Sequence, residues 1–306
     1  MDNRPASTTT GPGAFGTAPE PPAPALGALD AQIHETHTGL VVLVGDRAYK
    51  AKKAIKTDFL DFTTVQRRAA ACRREIELNS RLSPQSYLGI AYLTGPGDEP
   101  NEPVVVMRRY RDEDRLSTLV RAGAEITAHL DAIARTLAEF HRGAVRGDAV
   151  DDQARPAAVW ARWEENLTEL QRLGVVPAEQ VDDVRRLASR YLTGRAELFA
   201  DRIDDGRVVD GHADLLANDI FCTPTGLAIL DCLEFDDALR YVDGIDDAAF
   251  LAMDLEFLGA AQLGGNFIDR YRHHAHDPAP RSLVDFYIAY RAVVRAKVRS
   301  EERRVG

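Results

Sequence analysis

A two-lobed α+β fold is what this 306-residue sequence predicts, on three observations. Short apolar runs joined by a hairpin turn occupy the first third of the chain. Amphipathic helical patterns fill most of the remainder. Two further strand-like runs interrupt the helical part, each leading into an acidic cluster. A strand-rich front and a helical back, with one small hairpin inserted, describe a small β lobe followed by a larger helical one.

The elements follow in chain order. Residues 1–28 are rich in Pro, Gly, Ala, Ser and Thr and show no periodic apolar face, the composition of a disordered leader. Order is expected from about Gln32. The apolar run 41–44, the turn Gly45-Asp46-Arg47 and the alternating residues 48–52 read as a β-hairpin. Ala71, Ile76, Leu78 and Leu82 recur among charges over residues 67–82, the pattern of an amphipathic helix. Residues 103–107 form a further buried strand, and residues 108–115 are polar. Helical spacing then runs over residues 126–141, 157–173 and 178–198. Residues 207–209 and 226–230 are the strand-like runs, and helices return over residues 248–258 and 283–298. The N-lobe is assigned to residues 29–110 and the C-lobe to residues 111–298, with no internal repeat. Residues 299–306 match the translation of a common sequencing-library adapter and carry no functional weight.

Apolar content of 45% and charged content of 28% are those of an ordinary globular protein long enough for one large domain or two lobes. The net charge of −10 argues against nucleic acid or an anionic membrane as the main partner, since both select a basic surface. An acidic surface suits a cationic small molecule, and serves solubility equally well. Cys72, Cys222 and Cys232 make an odd count with no CxxC pair, which fits reduced thiols rather than disulfides or zinc ligands. No stretch approaches the about 18 apolar residues of a spanning helix, and no apolar signal region opens the chain. A cytoplasmic protein is expected.

The chemistry concentrates in two segments. One is Val209-Asp210-Gly211-His212-Ala213-Asp214-Leu215-Leu216-Ala217-Asn218-Asp219-Ile220-Phe221, the other Ile229-Leu230-Asp231-Cys232-Leu233-Glu234-Phe235-Asp236-Asp237. Apolar residues bracket both acidic clusters, so Asp214, Asp219 and Asp231 are expected on strand ends and short loops over a core. Carboxylates gathered this way stay charged when a cation joins them, and hard carboxylate oxygens suit Mg²⁺, with substrate phosphates completing its shell. Asp219 lies five residues after Asp214, and Asp231 twelve after Asp219. His-x-Asp-Leu-x-x-x-(Asn or Asp), an apolar strand and then Asp is the spacing of kinase catalytic and metal-binding loops. Read singly, each Asp is an ordinary cap or turn residue. A metal-dependent hydrolase of the His-Asp type would need adjacent ligands, and Ala213 intervenes.

On these motifs the sequence resembles the aminoglycoside phosphotransferase-like, protein-kinase-like family. It is most similar to an uncharacterised bacterial branch often fused to a P-loop ATPase-type domain. The resemblance runs over residues 33–298. It rests on Glu35-Thr36-His37, residues 45–50, Val105-Val106-Met107-Arg108-Arg109, Leu137-Ala138-Glu139-Phe140-His141, the 211–221 loop, residues 231–235 and residues 250–255. It implies Asp214 as catalytic base with His212 as the scaffold of its loop, and Asp219 and Asp231 as metal ligands. It also implies Lys50 on the α- and β-phosphates paired with Glu75, and Met107, Arg108, Arg109 and Tyr110 as the hinge against adenine. Three departures stand out. Ala213 replaces the usual Gly, a mild change if φ there is negative. Asp219 replaces the usual Asn and adds a charge. No GxxxxGK[ST] occurs, so a C-terminal P-loop domain is missing from this sequence.

Lys50 and Lys52 share one strand face and spacing does not separate them; Glu75 and Glu77 are both candidate partners. Thr36-His37-Thr38-Gly39 reads as an ordinary tight turn, His273-His274-x-His276 as a solvated His-rich turn, and Trp160 with Trp163 as core packing. The expected function is ATP- and Mg²⁺-dependent phosphoryl transfer to a hydroxyl of a small molecule. The alternative is a catalytically weak, nucleotide-sensing regulatory module.

Overall fold

The computed structural model describes residues 31–36, 38–56, 60–94 and 101–305. The expected leader and His37 lie outside the described residues.

The N-terminal part is a five-stranded antiparallel sheet of β1 (Gln32–Glu35), β2 (Gly39–Val44), β3 (Arg47–Lys52), β4 (Tyr87–Leu93) and β5 (Glu102–Arg108), in the order β1-β2-β3-β5-β4. The β2–β3 hairpin closes at Val44 opposite Arg47, so the turn is Gly45-Asp46 and Arg47, expected in the turn, opens β3. Helix α1 (Val65–Asn79) crosses the sheet; Thr64 caps it by accepting the Arg67 amide at 3.3 Å. Strand β4 had no sequence signal, because its register shifts between Tyr87 and Gly89 and breaks the alternation.

The C-terminal part is helical: α2 (Leu116–Arg121), α3 (Thr127–Gly143), α4 (Asp148–Asp151), α5 (Pro156–Leu173), α6 (Ala178–Gly194), α7 (Ala196–Asp204), α8 (Asp237–Arg240), α9 (Gly244–Phe257), α10 (Ala261–Ala275) and α11 (Arg281–Val305). The two strand-like runs do not form one inserted hairpin. Strand β6 (Val208–Asp210) pairs with β9 (Tyr241–Asp243), while β7 (Ile220–Thr223) pairs with β8 (Gly226–Ile229). Two separate ribbons therefore carry the two acidic segments.

Helix α10 was unassigned in sequence because Gly264 and Gly265 interrupt its pattern. Gly264 is there for packing: a Cβ would sit 2.8 Å from the Ala252 carbonyl of α9. The His-rich segment is the last turn of this helix, where His274 Nε2 lies 3.0 Å from Asp131. Trp163 is buried against Phe286 and Tyr290, as core.

Two hydrophobic cores position the site. The larger one fills the helical part and encloses α9 almost completely. The smaller one joins the sheet to the β7–β8 ribbon through Ala48, Cys72, Tyr87, Val105, Met107, Phe221, Ala228 and Leu230. The end of β8, where Asp231 follows, is thus packed beneath the sheet that carries Lys50.

Candidate active site

The 211–219 loop leaves β6 and is gripped at once by α9. Asp247 accepts the His212 amide on Oδ2 at 2.7 Å and the Ala213 amide on Oδ1 at 2.8 Å. His141 Nε2 lies 2.9 Å from the same Oδ2, and its Nδ1 lies 2.8 Å from the Tyr271 hydroxyl. An ionised carboxylate only accepts, so His141 donates to it from Nε2. Against its burial, these donors hold Asp247 below the usual carboxylate range. Gly211 makes the approach feasible, since a Cβ there would lie 2.5 Å from Asp247 Oδ2.

Two turns further along α9, about 10.5 Å, Asp254 accepts the Ala217 amide at 2.9 Å. From α11, Arg291 donates to Asp246 Oδ1 at 2.7 Å and to the Ala213 carbonyl at 3.3 Å. Within the loop, His212 Nδ1 accepts the Asp214 amide at 3.3 Å, so its Nε2–H donates to the Leu230 carbonyl at 3.1 Å. Burial lowers its pKa and keeps it neutral. His212 thereby ties the loop to the end of β8.

Ala213 has φ +66° and Asp231 φ +65°, two of three non-glycine residues with positive φ among those described. The change from Gly at 213 is therefore not the mild one that a negative φ would make it. Strain of this kind, on the order of 1–3 kcal/mol per residue, persists only where surroundings over-determine the backbone. Here Asp247 and Arg291 do so for Ala213, and Lys50 and Tyr87 for Asp231.

The three aspartates feel one another. Burial first, then the charge of Asp231, push Asp214 up to about 7, with Arg295 and Arg291 opposing. Burial and the charges of Asp231 and Asp214 carry Asp219 well above the usual range. Asp231 goes the other way, held down chiefly by Lys50.

From the sheet side, Glu75 is fully buried and meets both lysines: Lys50 Nζ at 2.9 Å from Oε1 and Lys52 Nζ at 2.7 Å from Oε2. Lys50 continues to Asp231 Oδ1 at 2.6 Å, and Lys52 to Glu234. Burial alone would lower Lys50; Asp231, Glu75 and Glu234 outweigh it and raise it well above the lysine range. Glu77 instead pairs with Arg74 at 3.0 Å, on the exposed side of α1. Asp231 is backed by Tyr87, whose hydroxyl accepts its amide at 3.3 Å, and Asn79 accepts the Cys232 amide at 2.8 Å.

At the end of β5, Met107 is buried in the sheet. The Arg108 and Arg109 amides are taken by the Ser86 and Asp46 carbonyls at 2.8 and 2.9 Å. The Tyr110 ring stacks on Phe221, centroids 5.1 Å apart, with its hydroxyl 2.7 Å from Ser86 Oγ.

Among the described residues, no three acidic, His or Cys side chains close on one point as a preformed metal cage. The donors present still fit Mg²⁺, which takes one or two carboxylates and leaves the rest of its shell to phosphates and water. Asp219 is an oxygen donor raised by like charges. Asp231 keeps 47% of its side chain exposed and so open to the cleft.

Sequence reasoning missed Asp247 and Asp254, the Lys52–Glu234 pair, and Asn79 and Arg291. The signal for the first two was legible. They are acids seven residues apart, hence on one helix face, in an otherwise apolar run.

This architecture, a small antiparallel sheet with one helix over a larger helical part and the two acidic loops between, is the two-lobed kinase-like fold. The chain superposes on choline kinase from Cryptosporidium parvum with a TM-score of 0.50 at 10% identity, over 89% of this chain and 83% of that one. It superposes on the GDP and kanamycin complex of APH(2")-IIia with a TM-score of 0.51 at 16% identity, over 92% and 90%. In sequence, uncharacterized proteins of Mycobacterium tuberculosis and Mycobacterium bovis are 56% identical over 268 residues, 87% of this chain. The chain spans 54% of their length. No family model matches. Among the described residues no helix is long and apolar enough to cross a membrane.

Proposed function

We propose that the chain transfers the γ-phosphoryl group of ATP, with Mg²⁺, to a hydroxyl of a small molecule. The observation that carries this reading is the Glu75–Lys50–Asp231 chain of ion pairs facing a carboxyl, Asp214, on a loop clamped at both ends. The choline kinase and aminoglycoside phosphotransferase likenesses agree with it at the level of fold.

In this reading Lys50 orients the α- and β-phosphates and Glu75 keeps the lysine extended. The amides of Arg108 and Arg109 are spent, so the Tyr110 amide recognises adenine. Asp219 and Asp231 would hold Mg²⁺, which neutralises charge building on the transferred phosphoryl group. Asp214 accepts the proton of the attacking hydroxyl. With the carboxyl pushed to about 7, it is poised to take that proton near neutral pH. His212 stays neutral and positions rather than transfers protons.

Asp214→Asn is expected to lower turnover by about 10²–10⁴-fold while Mg-ATP binding survives. Asp231→Ala is expected to remove Mg-ATP binding. Retained turnover in the Asp214 variant, measured by ADP release, sinks the assignment of the base. The second reading, a nucleotide-sensing module with weak catalysis, is favoured by one observation: Lys50 and Asp231 satisfy each other directly. Tight Mg-ATP binding without transfer across a panel of hydroxyl acceptors would select it. A place beside a further domain, and a cytoplasmic location, belong to the same proposal.

A further inference from the structure

Resting on the phosphotransferase reading, we propose that the acceptor carries an anionic group, a carboxylate or phosphate, beside its hydroxyl, and that Arg295 binds it. The class is opposite in charge to choline and kanamycin, and opposite to the cationic acceptor that the chain's net charge of −10 suits.

The place is a cavity of about 280 Å³ between α9 and α11. Met253, Phe257, Ile288, Ala292 and Ala296 supply apolar walls, and Arg295, Arg299 and Glu256 its charges. Glu256 lies on the exposed outer side. Arg299 stacks on the Phe257 ring at 4.2 Å. Arg295 is the inner charge. No carboxylate pairs with its guanidinium among the described residues, and its Nε is buried without a partner, so the charge is free to meet an anion through the part of the guanidinium that lines the cavity.

The helices that wall the cavity also hold the loop that carries Asp214. One turn before Arg295 on α11, Arg291 donates to the Ala213 carbonyl, and its Nη2 is a second buried donor without a partner. Met253 in the wall precedes Asp254, which holds the Ala217 amide. Both guanidinium charges act on Asp214. A hydroxyl presented to Asp214 by a molecule seated here places its remaining groups against Arg295 and the apolar wall. The volume of about 280 Å³ lies just below the range of ligand pockets, about 300–1,000 Å³, and suits a compact acid. A polycation would instead meet Arg295.

The test measures acceptor binding directly, by calorimetry on the whole chain, apart from turnover. The probes are short hydroxy acids (3-hydroxybutyrate, 4-hydroxyphenylacetate), glycerol 3-phosphate, the methyl esters of the two acids, and choline, ethanolamine and kanamycin. The acids are expected to bind at least about tenfold more tightly than their esters, one charge-assisted contact. Glycerol 3-phosphate against the carboxylates decides which anion is preferred. Arg295→Gln should erase the acid-over-ester ratio and leave Mg-ATP affinity unchanged, and Arg295→Lys should restore part of it. Ala292→Trp, which fills the cavity from its open side, should block acid binding independently. Acids binding no better than esters, or the amines binding best, overturns the proposal. Amine-dependent turnover would do so while leaving the phosphotransferase reading standing. Acid binding without any ATP turnover would do the reverse.

Discussion

The two acidic loops are held in opposite ways. The 211–219 loop is gripped from its own half of the molecule by backbone amides on buried carboxylates, with Asp247 and Asp254 on one face of α9 and Arg291 closing the side. The acidic side chains after β8 are held from the other half, by Lys50 and Lys52, while the backbone there is shared between Asn79 and Tyr87 on that side and His212 and Arg240 on its own. Amide-to-carboxylate bonds have no competitor among the expected ligands. The lysine pairs do, because nucleotide phosphates are better anions for Lys50 than a half-exposed Asp231. The base is thus fixed together with Asp219 on the same loop, whereas the Asp231 carboxylate is held by a lysine contact that a bound nucleotide can exchange.

The largest expected effect breaks the fixed side. Asp247→Ala strands two buried amides and the His141 Nε2–H, and should cost about 3–5 kcal/mol in urea unfolding, close to the loss of a buried ionic network. A cost under about 1 kcal/mol, within the range of an ordinary surface substitution, would mean that the loop is held otherwise.

Lys50→Met probes the exchangeable side. Glu75 keeps Lys52, so stability should fall less than for Asp247→Ala, while kcat/KM for ATP should drop about 10²-fold with the loss of a preorganised phosphate contact. Equal damage to folding and nucleotide use would erase the contrast between the loops.

A third effect is read against pH in the nucleotide-free, Mg²⁺-free chain. Asp214 and Glu234 are both pushed up to about 7 by burial. A raised carboxyl binds a proton in the fold that the unfolded chain releases near 4, so its own contribution to stability is greatest below that pH and declines as pH rises towards 7. Asp214→Asn removes its share of the decline. Its melting temperature should exceed that of the parent by more at pH 8 than at pH 5, and an equal gain at both would contradict the raised carboxyl.

The smallest effect concerns Ala213. At φ +66° a glycine relieves strain of about 1 kcal/mol and loosens the unfolded chain slightly. Ala213→Gly should therefore raise stability modestly and leave Mg-ATP affinity unchanged. Destabilisation would show that the alanine methyl packs usefully.

Much of this was legible beforehand, and the residues show why. The β2–β3 hairpin, α1 and α3 announce themselves by local periodicity and turn chemistry. Asp214, Asp219 and Asp231 announce themselves by spacing, since a short loop and a ribbon turn admit few other separations. Strand β4 was hidden by a bulge and α10 by Gly264, both features whose meaning lies in a neighbour.

The order of lobes, the two acidic loops and the lysine face of β3 follow from local period and turn type, and any segment carries them on its own. Only the tertiary structure decided that Glu75 rather than Glu77 meets the lysines, that both lysines are used, and that β6 and β8 belong to different ribbons. It alone decided that Ala213 sits at positive φ. Each of these depends on which buried charge finds which partner across the fold, and burial is a property of the packed chain rather than of any segment of it.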